Sequence, residues 1–221
     1  MEVSLLSILA LGFVLGIKHA IEPDHVIAVS TIASQSRKLS RSSLAGVFWG
    51  LGHTATLFIV GLVLLIMKDE IPEKWAMSLE FLVGIMLVYL GMTTILSFKQ
   101  VHKPGAAHGH DHGHRPVSYA KSMWIGLVHG LAGSGAMVLL TMSTVQSVWE
   151  GAVYILVFGA GTVLGMLLFT TVIGIPFVLT AKKASLNKPL TGLTGAISAG
   201  FGVYYMYNLG VTEGLFKLWV Q

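Results

Sequence analysis

The sequence contains no cysteine, and only 11% of its 221 residues are charged. The lack of cysteine excludes disulfides, thiolate metal sites and thiol nucleophiles. Soluble domains carry roughly 25% charged residues, so this composition argues against one. Also missing are a His-Glu-x-x-His zinc-protease motif, a phosphate-binding glycine loop and a nucleophile elbow. We therefore expect no enzyme of these classes and no transporter driven by its own nucleotide site.

Hydrophobic residues make up 54% of the chain and occur in runs of about twenty, the length that crosses a ~30 Å hydrocarbon core. The pattern predicts an all-α, polytopic membrane protein. The first and fifth runs are too long for one straight helix at ~1.5 Å per residue, so tilt, a break or an interfacial extension is required. Pro23 is where a break is expected in the first span, and Gly174 with Pro176 are the candidates for a break in the fifth. The start of the chain lacks the positive region of a cleavable signal peptide, so the first span is expected to remain in the mature protein. The six predicted spans are 3–34, 43–67, 76–98, 120–143, 151–180 and 190–210.

Lysine and arginine are distributed unevenly between the predicted loops. The loops after the first, third and fifth spans carry most of these residues. By the positive-inside rule, these loops are cytoplasmic. This predicts a cell-membrane protein with both termini outside. Because the basic residues lie in short loops and not on one face, we expect a lipid bilayer and no nucleic acid as partner. The cytoplasmic set is Arg37, Lys38, Arg41, Lys99, Lys103, Arg115, Lys121, Lys182, Lys183 and Lys188; the opposite set is Lys68, Lys74 and Lys217.

The two halves of the chain resemble each other. The segment that begins at Gly16 aligns with the one that begins at Gly126, and Gly84 and Gly91 match glycines 111 residues later. Since three spans per half is an odd number, the halves would have opposite orientations, an inverted repeat typical of secondary transporters. Chance is the alternative, because glycine and leucine are abundant. The predicted units are a first repeat at 1–98, a linker at 99–119 and a second repeat at 120–221.

A cluster of ionisable residues lies inside the first predicted span, between His19 and His25. Burying such side chains costs at least ~2.5–3.5 kcal/mol each, so a group of them needs partners or a function. On an unbroken helix, at ~100° per residue, the two histidines would point about 240° apart. A break at Pro23 lets both imidazoles converge with a carboxylate, Glu22 or Asp24. The alternative is an interfacial position in water, with Pro23 only beginning a helix.

Two further histidines are candidates for the same site. His53 lies between glycines in the second span, where the hydroxyls of Thr54 and Thr56 could orient its imidazole. His129 aligns with His19 in the repeat and is followed by a run of small residues. For each of them, a packing role next to close-contact glycines is the alternative. The predicted metal-binding residues are His19, Glu22, Asp24, His25, His53 and His129.

Imidazole suits nickel, cobalt, zinc and copper, and a nitrogen and carboxylate set without sulfur disfavours copper(I). A second, histidine-rich tract lies in the linker predicted to be cytoplasmic. Such tracts bind metals weakly, so this one could receive the metal or pass it to a cytoplasmic acceptor. A solvated low-complexity linker is the alternative. The tract comprises His102, His108, His110, Asp111, His112 and His114.

The run from Leu15 to His25 resembles the His-x4-Asp-His signature of the nickel/cobalt transporter family. The sequence around His53 resembles that family's second histidine motif, and the sequence around His129 is closer to its six-span, UreH-like nickel permease branch. The resemblance implies that His19, Asp24 and His25 form the metal-binding core, with His53 as a further binding residue. It also implies nickel, with cobalt as an alternative, as the transported substrate, and no resident cofactor.

The leading prediction is a secondary transporter that takes up nickel. A nickel or cobalt exporter is the alternative within the same class, and deleting it would sensitise cells to excess nickel, whereas deleting an importer would protect them. From other classes, a membrane metalloenzyme would use the same histidines around iron or zinc. A metal sensor would act through the linker tract, but it would leave the buried cluster without a role.

Overall fold

The computed structural model describes residues 5–68, 71–99, 118–145 and 147–220. Within these ranges the chain is helical and contains no strand, as the sequence predicts. The histidine-rich tract of the linker lies outside the described residues. The helices are α1 (Leu5–His19), α2 (Pro23–Ser34), α3 (Leu39–Met67), α4 (Glu73–Lys99), α5 (Tyr119–Thr144), α6 (Val148–Thr180), α7 (Ala184–Tyr207) and α8 (Leu215–Val220), with a π-helical turn at Asn208–Thr212.

Several helices have the length and composition of membrane spans. In the described ranges, α3, α4 and α6 are each long and apolar enough to cross a bilayer, and α1 with α2 forms a fourth such unit. These helices confirm a membrane protein with several spans. The described parts of α5 and α7 do not join this set, so the count of six spans and their orientation stay predictions.

The first predicted span is broken, as expected. Helix α1 ends at His19, α2 begins at Pro23, and their axes differ by 56°. A proline disfavours helical backbone in the residue before it, and Glu22 accordingly has extended dihedrals, φ −62° and ψ 147°. Pro23 itself is tolerated in the first turn, where its missing N–H has no helical partner. The break therefore places His19 at one helix end and His25 at the start of the next helix.

The break predicted near Gly174 and Pro176 is wrong, because α6 is one continuous helix of 33 residues. Pro176 lies about one turn before the helix ends, so the loss of its N–H costs a single hydrogen bond of the ladder. The hydroxyl of Thr180 donates to the carbonyl of Pro176 and helps to close that last turn. Tilt of the long helix is then the way to fit it into a bilayer.

The helices approach each other through glycines. A Cβ atom on Gly84 would lie 3.2 Å from the carbonyl of Gly202, and one on Gly202 would lie 2.7 Å from the carbonyl of Gly84. Similarly, Gly16 of α1 meets the carbonyl of Phe158 in α6, and Gly126 of α5 meets that of Trp49 in α3. The pairs α1–α6 and α5–α3 are the ones that an exchange of the two halves would interconvert. These contacts favour the inverted repeat, which stays a prediction.

Candidate metal centre

Four histidines from four helices meet in the interior. His19 ends α1, His25 lies in the first turn of α2, and His53 and His129 lie within α3 and α5. Five pairs among their rings have centroids 4.0–5.9 Å apart. His25, His53 and His129 are at most 2% exposed. Imidazoles this close and this deeply buried need a common partner, and a cation is one that all four can share.

A direct nitrogen-to-nitrogen contact between two rings joins α1 to α3. The Nε2 atoms of His19 and His53 are 3.1 Å apart. Two ligand nitrogens that each lie ~2.1 Å from one ion at a right angle are about 3.0 Å apart. The pair therefore has the spacing of neighbouring ligands on a single metal ion.

Glu22 orients His19. Its Oε2 atom lies 2.9 Å from Nδ1 of His19, and its side chain is 49% exposed while that of His19 is 18% exposed. A ring that donates from Nδ1 to a carboxylate presents Nε2 as the free acceptor, the arrangement common for metal-binding histidines. The nitrogen left free is the one that faces His53.

Asp24 lies between the other two histidines. Its Oδ1 atom is 3.2 Å from Nδ1 of His25, and its Oδ2 atom is 2.7 Å from Nε2 of His129. These bonds leave Nε2 of His25 and Nδ1 of His129 buried without a hydrogen-bond partner, and Nδ1 of His53 is unpartnered too. Buried polar atoms are normally satisfied, so unpartnered nitrogens around one centre point to a ligand.

Two overlapping groups could hold a metal ion. In one, a ligand atom from each of His19, His25 and His53 lies within 4.8 Å of the others; in the second, the same holds for Asp24, His25 and His129. His25 belongs to both. The first group offers three nitrogens without sulfur, a set that suits nickel, cobalt and zinc. Asp24 can act as a ligand in the second group or as the residue that orients its two histidines.

The neighbourhood of His53 is set by close helix packing. A Cβ atom on Gly130 would lie 2.5 Å from the carbonyl of His53, so this glycine lets α5 approach α3 at the site. The sequence suggested that Thr54 and Thr56 orient the imidazole, but they do not. Their hydroxyls donate to helix carbonyls, that of Thr54 to Gly159 and that of Thr56 to Leu127. In a span, a threonine readily bonds a neighbouring backbone carbonyl.

The cluster opens into a cavity of about 310 Å³. Of the predicted residues, His19, Glu22, Asp24, His25 and His129 line it, and His53 lies behind His19. The structure thus brings all six predicted residues together, while their binding of a metal stays a prediction. Three polar cavity residues escaped the sequence reasoning: Lys18, Glu80 and Tyr205.

Comparison with protein families matches two parts of the chain. Residues 5–88 match the family described as High-affinity nickel-transport protein. This range contains five of the six predicted metal-binding residues, all except His129. Residues 76–204, more than half of the chain, belong to the family described as Cytochrome C biogenesis protein transmembrane region. No solved structure matches the chain.

Among curated proteins, Urease accessory protein UreH of Bacillus sp. (strain TB-90) is 63% identical, over 100% of this chain and 99% of that protein. A nickel/cobalt efflux system of Methanocaldococcus jannaschii is 23% identical, over 87% and 89% of the two chains. Chloroplast protein FOR GROWTH AND FERTILITY 1 of Arabidopsis thaliana is 28% identical, over 87% of this chain and 56% of its own. With a full-length relative this similar and a nickel-transport match across the histidine cluster, the chain belongs to the nickel/cobalt transporter family, in its UreH-like branch of membrane permeases.

Proposed function

We propose that this protein takes up nickel(II) into the cytoplasm, with cobalt(II) as a second substrate, by passing the ion through the histidine cluster. The observation that carries the proposal is the set of buried, unpartnered ring nitrogens on His25 and His129, which line one cavity, next to the facing Nε2 atoms of His19 and His53. Nitrogens in this state would bind a transition metal with little rearrangement. A fixed pair of carboxylates, Glu22 and Asp24, orients the rings before the ion arrives.

In the proposed pathway, the ion reaches the cavity from outside, and Nε2 of His25 is the first of the imidazole nitrogens to bind it. His19 and His53 then complete the nitrogen set, because their Nε2 atoms already face each other. Release toward the cytoplasm requires the two halves of the chain to move relative to each other, as in other transporters with internal repeats. The membrane potential or an ion gradient would drive this movement.

Nickel as the substrate is supported by the ligand set and by the comparisons. Imidazole nitrogens without sulfur suit nickel, cobalt and zinc. The relatives carry names that refer to nickel, to urease or to nickel and cobalt. Uptake is preferred over export because the most similar of the three relatives named here is an accessory protein of urease.

The test is nickel flux into proteoliposomes that contain the purified full-length protein. We expect His25→Ala and His53→Ala each to lower nickel affinity at least about tenfold, in the range that loss of a metal-site residue costs, and to abolish uptake. His102→Ala, in the linker, is the matched control and should keep both. Full uptake by His25→Ala would refute the site. Stoichiometric, stable metal without any flux in the wild type would favour the metalloenzyme.

A further inference from the structure

Glu80 is an acidic side chain inside the apolar length of α4, seven residues past the acid of its first turn, Glu73. A charged residue at membrane depth is expensive to bury and is rarely retained without a function. No lysine or arginine in the described part of the chain lies within ion-pair distance of it. Its carboxylate accepts a hydrogen bond from the hydroxyl of Tyr205 in α7, at 3.3 Å. This bond holds the carboxyl group in place.

Acidic groups outnumber basic ones around Glu80. Its cavity also holds Glu22, Asp24 and one lysine, Lys18, and the charges of Glu213 and Asp24 act on it. Glu213 follows the π-helical turn after α7 and is held by the side-chain amide of Asn208, at 2.6 Å. Acidic groups gathered around a low-dielectric cleft focus the field and raise the local concentration of cations.

The space in front of Glu80 is continuous with the metal centre. Glu80 and Tyr205 line the same cavity as His25 and His129. Each of these two histidines, 1% and 2% exposed, has one ring nitrogen without a partner. The cavity lining thus includes the oxygen atoms of Glu80 and Tyr205 and the two histidines with unsatisfied nitrogens.

We propose that Glu80 and Tyr205 form a capture site, where a hydrated divalent cation is held by oxygen ligands before it moves to the imidazoles; this rests on the proposed function. Carboxylate and hydroxyl oxygens are hard ligands that bind ions with part of their water retained. Imidazole nitrogens bind nickel more selectively. The order of the two ligand sets therefore favours transfer from the cavity wall to the cluster, with Glu80 controlling capture and the histidines controlling retention.

The experiment compares Glu80→Gln, Glu80→Asp and Tyr205→Phe with the control Glu73→Gln, which changes an exposed acid of the same helix. Initial rates of nickel uptake into proteoliposomes are measured over a range of nickel concentrations, and equilibrium nickel binding is measured on the same purified proteins. For Glu80→Gln we expect the half-saturating concentration to rise about tenfold, the lower end of what electrostatic focusing supplies. The maximal rate and the equilibrium affinity should stay within about twofold of the wild type, since the imidazoles are intact.

Magnesium supplies a second readout, because it prefers oxygen ligands and should compete at the capture site alone. In the wild type, excess magnesium should raise the half-saturating nickel concentration. In Glu80→Gln magnesium should have no further effect, and in Glu80→Asp part of the magnesium effect should return. Unchanged half-saturation in Glu80→Gln would overturn the capture site while leaving the transporter intact. So would a loss of equilibrium binding in that variant, which would make Glu80 part of the central site. Absence of nickel flux in the wild type would instead refute the proposed function.

Discussion

Asp24 determines which nitrogen each neighbouring histidine can offer. One carboxylate oxygen accepts from Nδ1 of His25 and the other from Nε2 of His129. Because each ring donates to a different oxygen, neither can rotate without breaking its bond. A hydrogen bond of this kind to a ligand histidine fixes the tautomer and raises the basicity of the metal-binding nitrogen. Asp24 thereby prepares two rings at once.

Asp24→Asn should weaken nickel binding about 10- to 100-fold, the usual cost of losing such an orienting partner. The asparagine presents one oxygen and one NH2 group, so it cannot accept from both rings. Glu22→Gln, which alters a half-exposed contact with one histidine only, should cost less. Isothermal titration of both purified variants with nickel measures the difference. Equal losses would mean that Asp24 has no special place between the two rings.

Part of this site was predictable residue by residue, and part was not. His19, Asp24 and His25 are close in sequence, so a break between them was enough to predict that they converge. The contact of His129 with Asp24 joins α5 to α2, between residues 105 positions apart, and no local sequence pattern predicts it. Glu80 carried a signal, a lone acid in an apolar run, that the search for histidine motifs passed over. Tyr205 carried none, since an aromatic residue in a span is ordinary.

At the scale of the helices, the two prolines at which a break was expected have different outcomes. Pro23 follows a residue with extended backbone and begins a new helix, whereas Pro176 lies inside α6 and leaves it continuous. The two prolines differ in position. A proline near a helix end removes few helical hydrogen bonds, whereas a proline next to several polar side chains can leave backbone groups free of the helix where a cavity accommodates them. Sequence alone located both prolines but could not show which of them has a cavity beside it.

Two glycines of α7, separated by a single residue, provide a test of the close contact between α4 and α7. A Cβ atom on Gly202 would lie 2.7 Å from the carbonyl of Gly84, whereas nothing lies within 4 Å of one on Gly200. Gly202→Ala should therefore force α7 away from α4 and destabilise the protein by about 1–3 kcal/mol, the usual cost of overpacking. Gly200→Ala should leave stability unchanged or raise it, because alanine favours helix. Thermal unfolding in detergent compares the two variants. An equal effect of both substitutions would contradict a close contact between α4 and α7 at Gly202.

The whole molecule is predicted to have its two halves in opposite orientations, and the packing is compatible with that. The contact of α4 with α7 is reciprocal, Gly84 with Gly202 and Gly91 with Gly195. Fold class and the presence of several spans followed from composition and run length. The number of spans does not follow as firmly, because α5 and α7 contain enough small and polar residues to reduce their apolar character. In α7 the buried residues are Gly195, Ser198 and Gly202, so small and polar residues at its helix contacts lower its mean hydropathy.

The orientation can be measured directly, because the natural chain has no cysteine and single cysteines can be introduced without background. Ser40, Glu73 and Ser185 are exposed positions near helix starts. A membrane-impermeant maleimide applied to intact cells should label Glu73→Cys, and it should label Ser40→Cys and Ser185→Cys only after the membrane is opened. Labelling of all three in intact cells would refute the six-span topology.

The carboxylates that position the histidines also set a charge for the site. Glu22 and Asp24 together carry two negative charges beside imidazoles that bind metals in their neutral form. A divalent ion therefore makes the cluster electrically neutral, while a monovalent ion leaves one negative charge and a trivalent ion one positive charge. Because uncompensated charge at membrane depth is costly, this charge balance would favour a divalent ion over sodium or potassium in the proposed binding of nickel. The imidazoles of the proposed site would then have to distinguish mainly among divalent ions.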